Sequence, residues 1–182
     1  MATIVIISGS PWKGTRLQGL INYCEQYLTK KNHTVKQLHV SDLPAEDLMF
    51  ANFKSEAILD ATALVAEADA VILASPVYKA SITGLLKTFL DILPQHGFEN
   101  KTIFPVMIGG TISHLLAIDY SLKPLLSVMG AETIIKGVYA VDEMVVRSED
   151  GSLKLKQEIV ERLDLSLERL DYHLNQKTVT NV

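Results

Sequence analysis

Apolar residues fall in short unbroken runs, and stretches of helical spacing separate those runs. Residues 4–7 are all β-branched and continuously apolar, the pattern of a strand covered on both faces, and Ser8-Gly9-Ser10-Pro11 stops them. A helical stretch over 15–30 follows. Residues 33–40 alternate with polar positions and predict an edge strand, and Asp42-Leu43-Pro44 opens a connection toward a helix over 55–67 with Ser55 as its cap. A third strand over 70–74 ends in Ser75-Pro76-Val77-Tyr78, and a helix over 81–92 is closed by Pro94. Residues 101–108 read as a fourth strand, Gly109-Gly110-Thr111 as a turn, and 113–129 as one long helix. A fifth strand over 133–141 and a last helix over 153–174 complete the pattern, leaving 175–182 as a polar tail expected to fray.

Strands alternating with helices predict one α/β domain over residues 1–174. Right-handed crossovers give it three α/β/α layers around a five-stranded parallel sheet in the order 2-1-3-4-5. Pro105 lacks a ladder N–H and counts against a central place for the fourth strand. In such a sheet a ligand sits beyond the carboxyl ends of the strands, where the order reverses between strands one and three. The loops to read for chemistry are thereby set in advance.

Composition narrows the function further. Of the 182 residues, 48% are apolar and the net charge is only −4, which fits a folded globular chain and supplies no basic stripe for nucleic acid. Cys24 is the single cysteine, so an internal disulfide is excluded and a reducing, cytoplasmic setting is expected. The first apolar run has no basic leader and is too short for a secretory or membrane segment.

The first loop, from Ser8 to Arg16, runs into a helix start, where free amides attract a phosphate and the hydroxyls of Ser10 and Thr15 add donors. It is neither a Walker A loop nor G-x-G-x-x-G, so a phosphate monoester is favoured over ATP or a dinucleotide. The second loop, Ser75-Pro76-Val77-Tyr78-Lys79, places an aromatic ring and accessible backbone where a flat conjugated ring would lie. In the third, Gly109-Gly110-Thr111 lets backbone amides approach a polar ring edge, with His114 just beyond. Each feature also has a plain structural reading: a turn and an ordinary N-cap for Gly9 to Thr15, a core or interface residue for Tyr78, a helix-face residue for His114.

Together, Ser8-Gly9-Ser10-Pro11, Ser75-Pro76-Val77-Tyr78-Lys79-Ala80, Gly84-Leu85-Leu86-Lys87 and Gly109-Gly110-Thr111 resemble the NADPH-dependent FMN reductase family over about residues 3–141. The run from Gly110 to Pro124 looks like the flavin reductase of alkanesulfonate monooxygenase systems. The resemblance implies a flavodoxin-like fold, a homodimer or homotetramer, and reduction of FMN by NADPH or NADH. Reduced flavin would pass to a monooxygenase that desulfonates organosulfonates. It also implies cofactor contacts from Ser10, Trp12, Thr15, Arg16, Leu17, Gln18, Pro76, Val77, Tyr78, Lys79, Gly109, Gly110, Thr111 and His114. Tyr120 aligns with a tyrosine at a π-type bulge of an interface helix and is the candidate for tuning flavin transfer. Trp12 stands where the family usually has Arg, and Leu17 where it usually has a polar residue, which removes phosphate donors; Arg16 and Lys13 are the substitutes at hand.

No side-chain base or nucleophile is required, because the hydride chemistry belongs to the flavin and the protein's task is to stack nicotinamide about 3–3.5 Å from it. Two other readings share the fold: a one-electron carrier like flavodoxin, and a quinone or azo reductase. The first loop lacks the T-x-T-G-x-T pattern usual in such carriers.

Overall fold

The computed structural model describes residues 1–180, with side chains described as far as Gln176. Strand β1 (Thr3–Ser8) lies between β2 (Thr34–His39) and β3 (Ala70–Pro76), and β3 pairs with β4 (Thr102–Gly109), all in parallel. The order is therefore 2-1-3-4-5, as the sequence predicts. Alternation along β1 sorts the two layers. Val5 and Ile7 face Ile58 and Val65 of α3 (Glu56–Ala66) and Phe89 of α4 (Gly84–Ile92). Ile4 and Ile6 face Leu20 and Cys24 of α1 (Arg16–Lys30) and Leu163 and Leu167 of the final helix. A short helix α2 (Ala45–Met49) fills the connection after β2.

Four elements differ from expectation. The fifth strand is split into β5 (Thr133–Ile134) and β6 (Val138–Val141), both on β4. This split resolves the position of Pro105. Its partner on one side is Leu73, and on the other it falls between the two short ladders, where Ile135 N–H reaches Ile103 O at 2.8 Å and no amide of Pro105 is required. Gly137 fits the same break because a Cβ there would meet Ile118 at 2.8 Å and Pro105 at 3.2 Å.

The long helix expected over 113–129 is instead a 3-10 turn at Ile112–His114, a π-helical segment at Ile118–Leu122 and α5 (Lys123–Val128). Residues 145–155 form an antiparallel hairpin, β7 (Val145–Arg147) with β8 (Leu153–Leu155), so the last helix α6 starts at Gln157 and not at 153. Ser55 does precede α3, but its hydroxyl donates to Asp47 at 2.5 Å and does not cap the helix. Helix α6 extends to Thr180, and the fraying expected over 175–182 lies largely outside the described side chains. No described helix is long and apolar enough to cross a membrane.

Cys24 is fully buried in α1, and burial pushes its thiol up to about 12. The native protein should therefore resist alkylation by iodoacetamide at pH 8 and react at once when unfolded. Intact-mass spectrometry reads both states; rapid native labelling would place Cys24 at an accessible surface.

Candidate functional site

Three loops meet beyond the carboxyl ends of β1, β3 and β4, around a cleft of about 290 Å³. Thr15, Arg16 and Leu17 line it from the start of α1, Pro76, Val77 and Tyr78 from the end of β3, and Gly109 and Gly110 from the end of β4. Close packing brings these backbones together. A Cβ on Gly9 would fall 2.6 Å from Leu86 Cβ, so the absent side chain is what lets the first loop rest on α4. Thr83 fastens the contact: its hydroxyl donates to Gly9 O at 2.7 Å and accepts from Leu86 N–H at 3.0 Å as the N-cap of α4. Replacing Thr83 by Val should lower stability by about 1–2 kcal/mol, the range for a lost cap plus a carbonyl left unpaired, measured by urea unfolding.

Within the first loop the Ser10 hydroxyl donates to Trp12 O at 2.8 Å and lies 3.2 Å from the Thr15 hydroxyl. These bonds hold the loop in a tight curl ahead of α1. Thr15 is the N-cap in extended conformation, yet its side chain makes no cap bond, and its hydroxyl lies toward Ser10. The first turn of α1 carries no acidic residue, so nothing on it opposes an anion at its amides. Arg16 adds charge there and donates from Nε to Val145 O at 3.0 Å.

The second loop is a two-residue reversal closed by Tyr78 N–H to Ser81 O at 3.0 Å and Ser81 N–H to Tyr78 O at 3.1 Å. Lys79 and Ala80 both occupy the left-handed region, at φ of 51° and 61°. Two successive non-glycine residues in that region carry strain of about 1–3 kcal/mol each, and the closing bonds hold them in place. Ala80→Gly should raise stability by about 0.5–1 kcal/mol through relief of that strain, read from the denaturation midpoint; a lower midpoint would mean that the turn is not strained. Tyr78 stands half-exposed at the rim.

In the third loop, Gly109 is required by contact: a Cβ would sit 2.3 Å from Tyr139 Oη, which donates to Thr111 O at 2.6 Å. Burial, with the Asp142 carboxylate nearby, pushes the Tyr139 phenol up, keeping it a proton donor. Gly110 is open, its nearest neighbour in the Cβ direction being Asp142 at 3.9 Å. A bare backbone amide beside open space is what a flat ligand's polar edge needs.

The remaining expected residues do not line the cleft. Ser10 is buried within its own loop, and Trp12 is 70% exposed. Gln18 bonds Asn22 and Gln37, toward the β2 edge. Leu17 is the exception: it lines the cleft, and its side chain is buried in the core cluster shared by α1 and α6. Lys13 pairs with Asp42 at 2.7 Å on the surface. Lys79, Thr111 and His114 lie just outside, and Tyr120 stands 79% exposed in the π-helical segment, as the resemblance implied for its backbone. Its neighbour Ser121 reaches Ser81 at 2.5 Å, hydroxyl to hydroxyl, so the π segment is fastened to the second loop.

Three lining residues were not anticipated as site residues from the sequence: Asp142 after β6, Arg147 on β7 and Ile108 near the end of β4. A signal for the second was present: Asp150-Gly151 between Val145-Val146-Arg147 and Leu153-Lys154-Leu155 is a hairpin pattern. Among the described residues no group of three or more His, Cys, Asp or Glu is placed to hold a metal ion.

The arrangement fits FMN: donors and positive charge at a helix start, a rim aromatic, and bare glycine backbone opposite. Comparison with known proteins agrees. Residues 2–145 match the model of a family described as NADPH-dependent FMN reductase. The chain is 42% identical over 166 residues to an FMN reductase (NADPH) of Pseudomonas putida, covering 91% of this chain and 84% of the relative. It is 36% identical over 176 residues to one of Escherichia coli, covering 97% and 92%. An apo crystal structure of an NADH:FMN oxidoreductase superposes with a TM-score of 0.84 at 30% identity, over 95% of this chain and 90% of that one. The chain thus belongs to the NADPH-dependent FMN reductase family and is an NAD(P)H:FMN oxidoreductase.

Proposed function

We propose that this reductase releases reduced FMN to a monooxygenase, as in organosulfonate sulfur assimilation, and that the cleft at the ends of β1, β3 and β4 is its flavin site. The observation that carries the site is the convergence of the α1 start, the Pro76–Tyr78 rim and the Gly109-Gly110 backbone on one opening. Thr15, Arg16 and the amides of the first turn hold the phosphate, with Ser10 shaping their loop. Pro76 to Lys79 flank the ring, and Gly109 to Thr111 meet its polar edge. FMN, when bound, accepts a hydride from the nicotinamide and passes its electrons on. The protein orients the two rings and excludes water between them.

Release is supported by the first loop, where Trp12 and Leu17 offer no side-chain donor in the cleft and add nothing to the hold on the phosphate. Ile112, Leu116 and Tyr120 expose apolar surface near the site, which supports assembly into a homodimer or homotetramer through that region. Tyr120 in the π segment is the residue assigned to the transfer step, since Ser121 ties that segment to the ring-flanking loop. Tyr120→Ala should change flavin affinity, or transfer to a partner monooxygenase, by about tenfold; unchanged affinity, turnover and transfer would remove Tyr120 from the mechanism.

The test is anaerobic oxidation of NADPH, and separately NADH, by flavin-free protein at rising FMN concentration, followed by absorbance. Saturating turnover with free reduced FMN as product is expected. Tight FMN binding without oxidation of either nucleotide, even with quinone present, would replace the reading by an electron carrier.

A further inference from the structure

We infer that Arg147, on the β7–β8 hairpin, is a specificity residue of the flavin site that reads the phosphate and thereby separates FMN from riboflavin. The inference rests on the proposed flavin site. Arg147 lies 131 positions after Arg16 (147 − 16), yet both side chains line the same cleft. They are cross-tied. Arg16 donates from α1 to Val145 O on the hairpin at 3.0 Å, while Arg147 donates from the hairpin to Gly14 O in the first loop through Nη2 and to Gly151 O at 3.4 Å through Nη1. The hairpin is thus fastened over the phosphate-type loop from both sides.

Among the described residues neither guanidinium lies in an ion pair with a carboxylate. Asp142 is the acidic residue lining the cleft, and it lies on the Gly110 side. Two arginines against one carboxylate leave an excess of one positive charge. Each guanidinium has five N–H donors in a planar fork, so these backbone bonds leave donors on both for a phosphate. A phosphate monoester, carrying between one and two negative charges at neutral pH, is the anion that satisfies both. The space beside Gly14 is open, since a Cβ there would meet nothing within 4 Å. Arg147 thereby supplies from a distant strand the donor that Trp12 does not supply within the loop.

Kd values for FMN and for riboflavin, measured by flavin fluorescence quenching at two salt concentrations, test this on the full chain with Arg147→Gln and Arg147→Lys. Wild-type protein should prefer FMN, and Arg147→Gln should weaken FMN by about tenfold or more while leaving riboflavin within about twofold. Arg147→Lys should recover part of the loss, keeping the charge without the fork, and the salt dependence of FMN binding should flatten in Arg147→Gln. An equal loss for both flavins would make Arg147 a fastener of the loop only and overturn the inference, as would no loss for either. If wild-type protein binds neither flavin, the flavin-site reading itself fails, which is a separate result.

Discussion

Gly109→Ala should lower stability by about 1–3 kcal/mol and weaken FMN by about tenfold or more, because the new methyl has no room at the end of β4. Its carbon would lie 2.3 Å from Tyr139 Oη and 3.5 Å from Val77 Cβ. Tyr139 cannot swing aside freely: it is 1% exposed and its hydroxyl is bonded to Thr111 O at 2.6 Å. Either the phenol gives up that bond or the strand end moves, and both displace the amides assigned to the flavin's polar edge. Removing the obstructing oxygen should separate these effects. Tyr139→Phe alone should lose about 1 kcal/mol, whereas Gly109→Ala combined with Tyr139→Phe should be less damaging than the sum of the two. Urea unfolding and fluorescence titration give both quantities; strict additivity would show that the clash lies elsewhere.

Phe104→Ala should have the largest effect on stability, about 3–5 kcal/mol, with little effect on the flavin. Phe104 is fully buried on the sheet face covered by α1 and α6, in the cluster that includes Leu163 and Leu167. Against a total of about 5–15 kcal/mol for an ordinary domain, that loss brings the unfolding midpoint close to working conditions. The cleft lies beyond the strand ends and does not include Phe104, so the folded fraction should bind FMN within about twofold of the parent. A large change in affinity with a small change in stability would mean that the core face and the cleft are coupled through β4.

The residues that announced themselves in the sequence did so through local signals. Unbroken apolar runs marked β1 and β3, the first of them β-branched throughout residues 4–7, and polar alternation marked β2 as an edge. Glycines at the strand ends marked the loops that converge, although contact with Leu86 and Tyr139, which the sequence does not display, is what makes Gly9 and Gly109 necessary. The misread segments were those where tertiary contact overrides local pattern. Residues 113–129 are apolar enough for one helix, but the connection to Ser81 through Ser121 accompanies a widened π turn. Residues 153–155 have an apolar spacing compatible with a helix start, yet they pair with 145–147 and pack over Gly19, whose missing side chain leaves Val145 and Leu153 at 3.0 and 3.2 Å from a Cβ position. Arg147 escaped notice for the same reason: its role depends on a hairpin folding back across α1.

The broken fifth strand has a consequence for how copies of this chain avoid fibrils. An open parallel sheet has two margins, each a row of peptide groups on which a foreign strand can template. On one margin β2 presents Lys36 and other polar side chains, and on the other β5 and β6 are two and four residues long, with Lys136 and Gly137 in the gap. Neither offers a long, flat, apolar rail. The interruption that accommodates Pro105 thus also denies cross-β growth a continuous template.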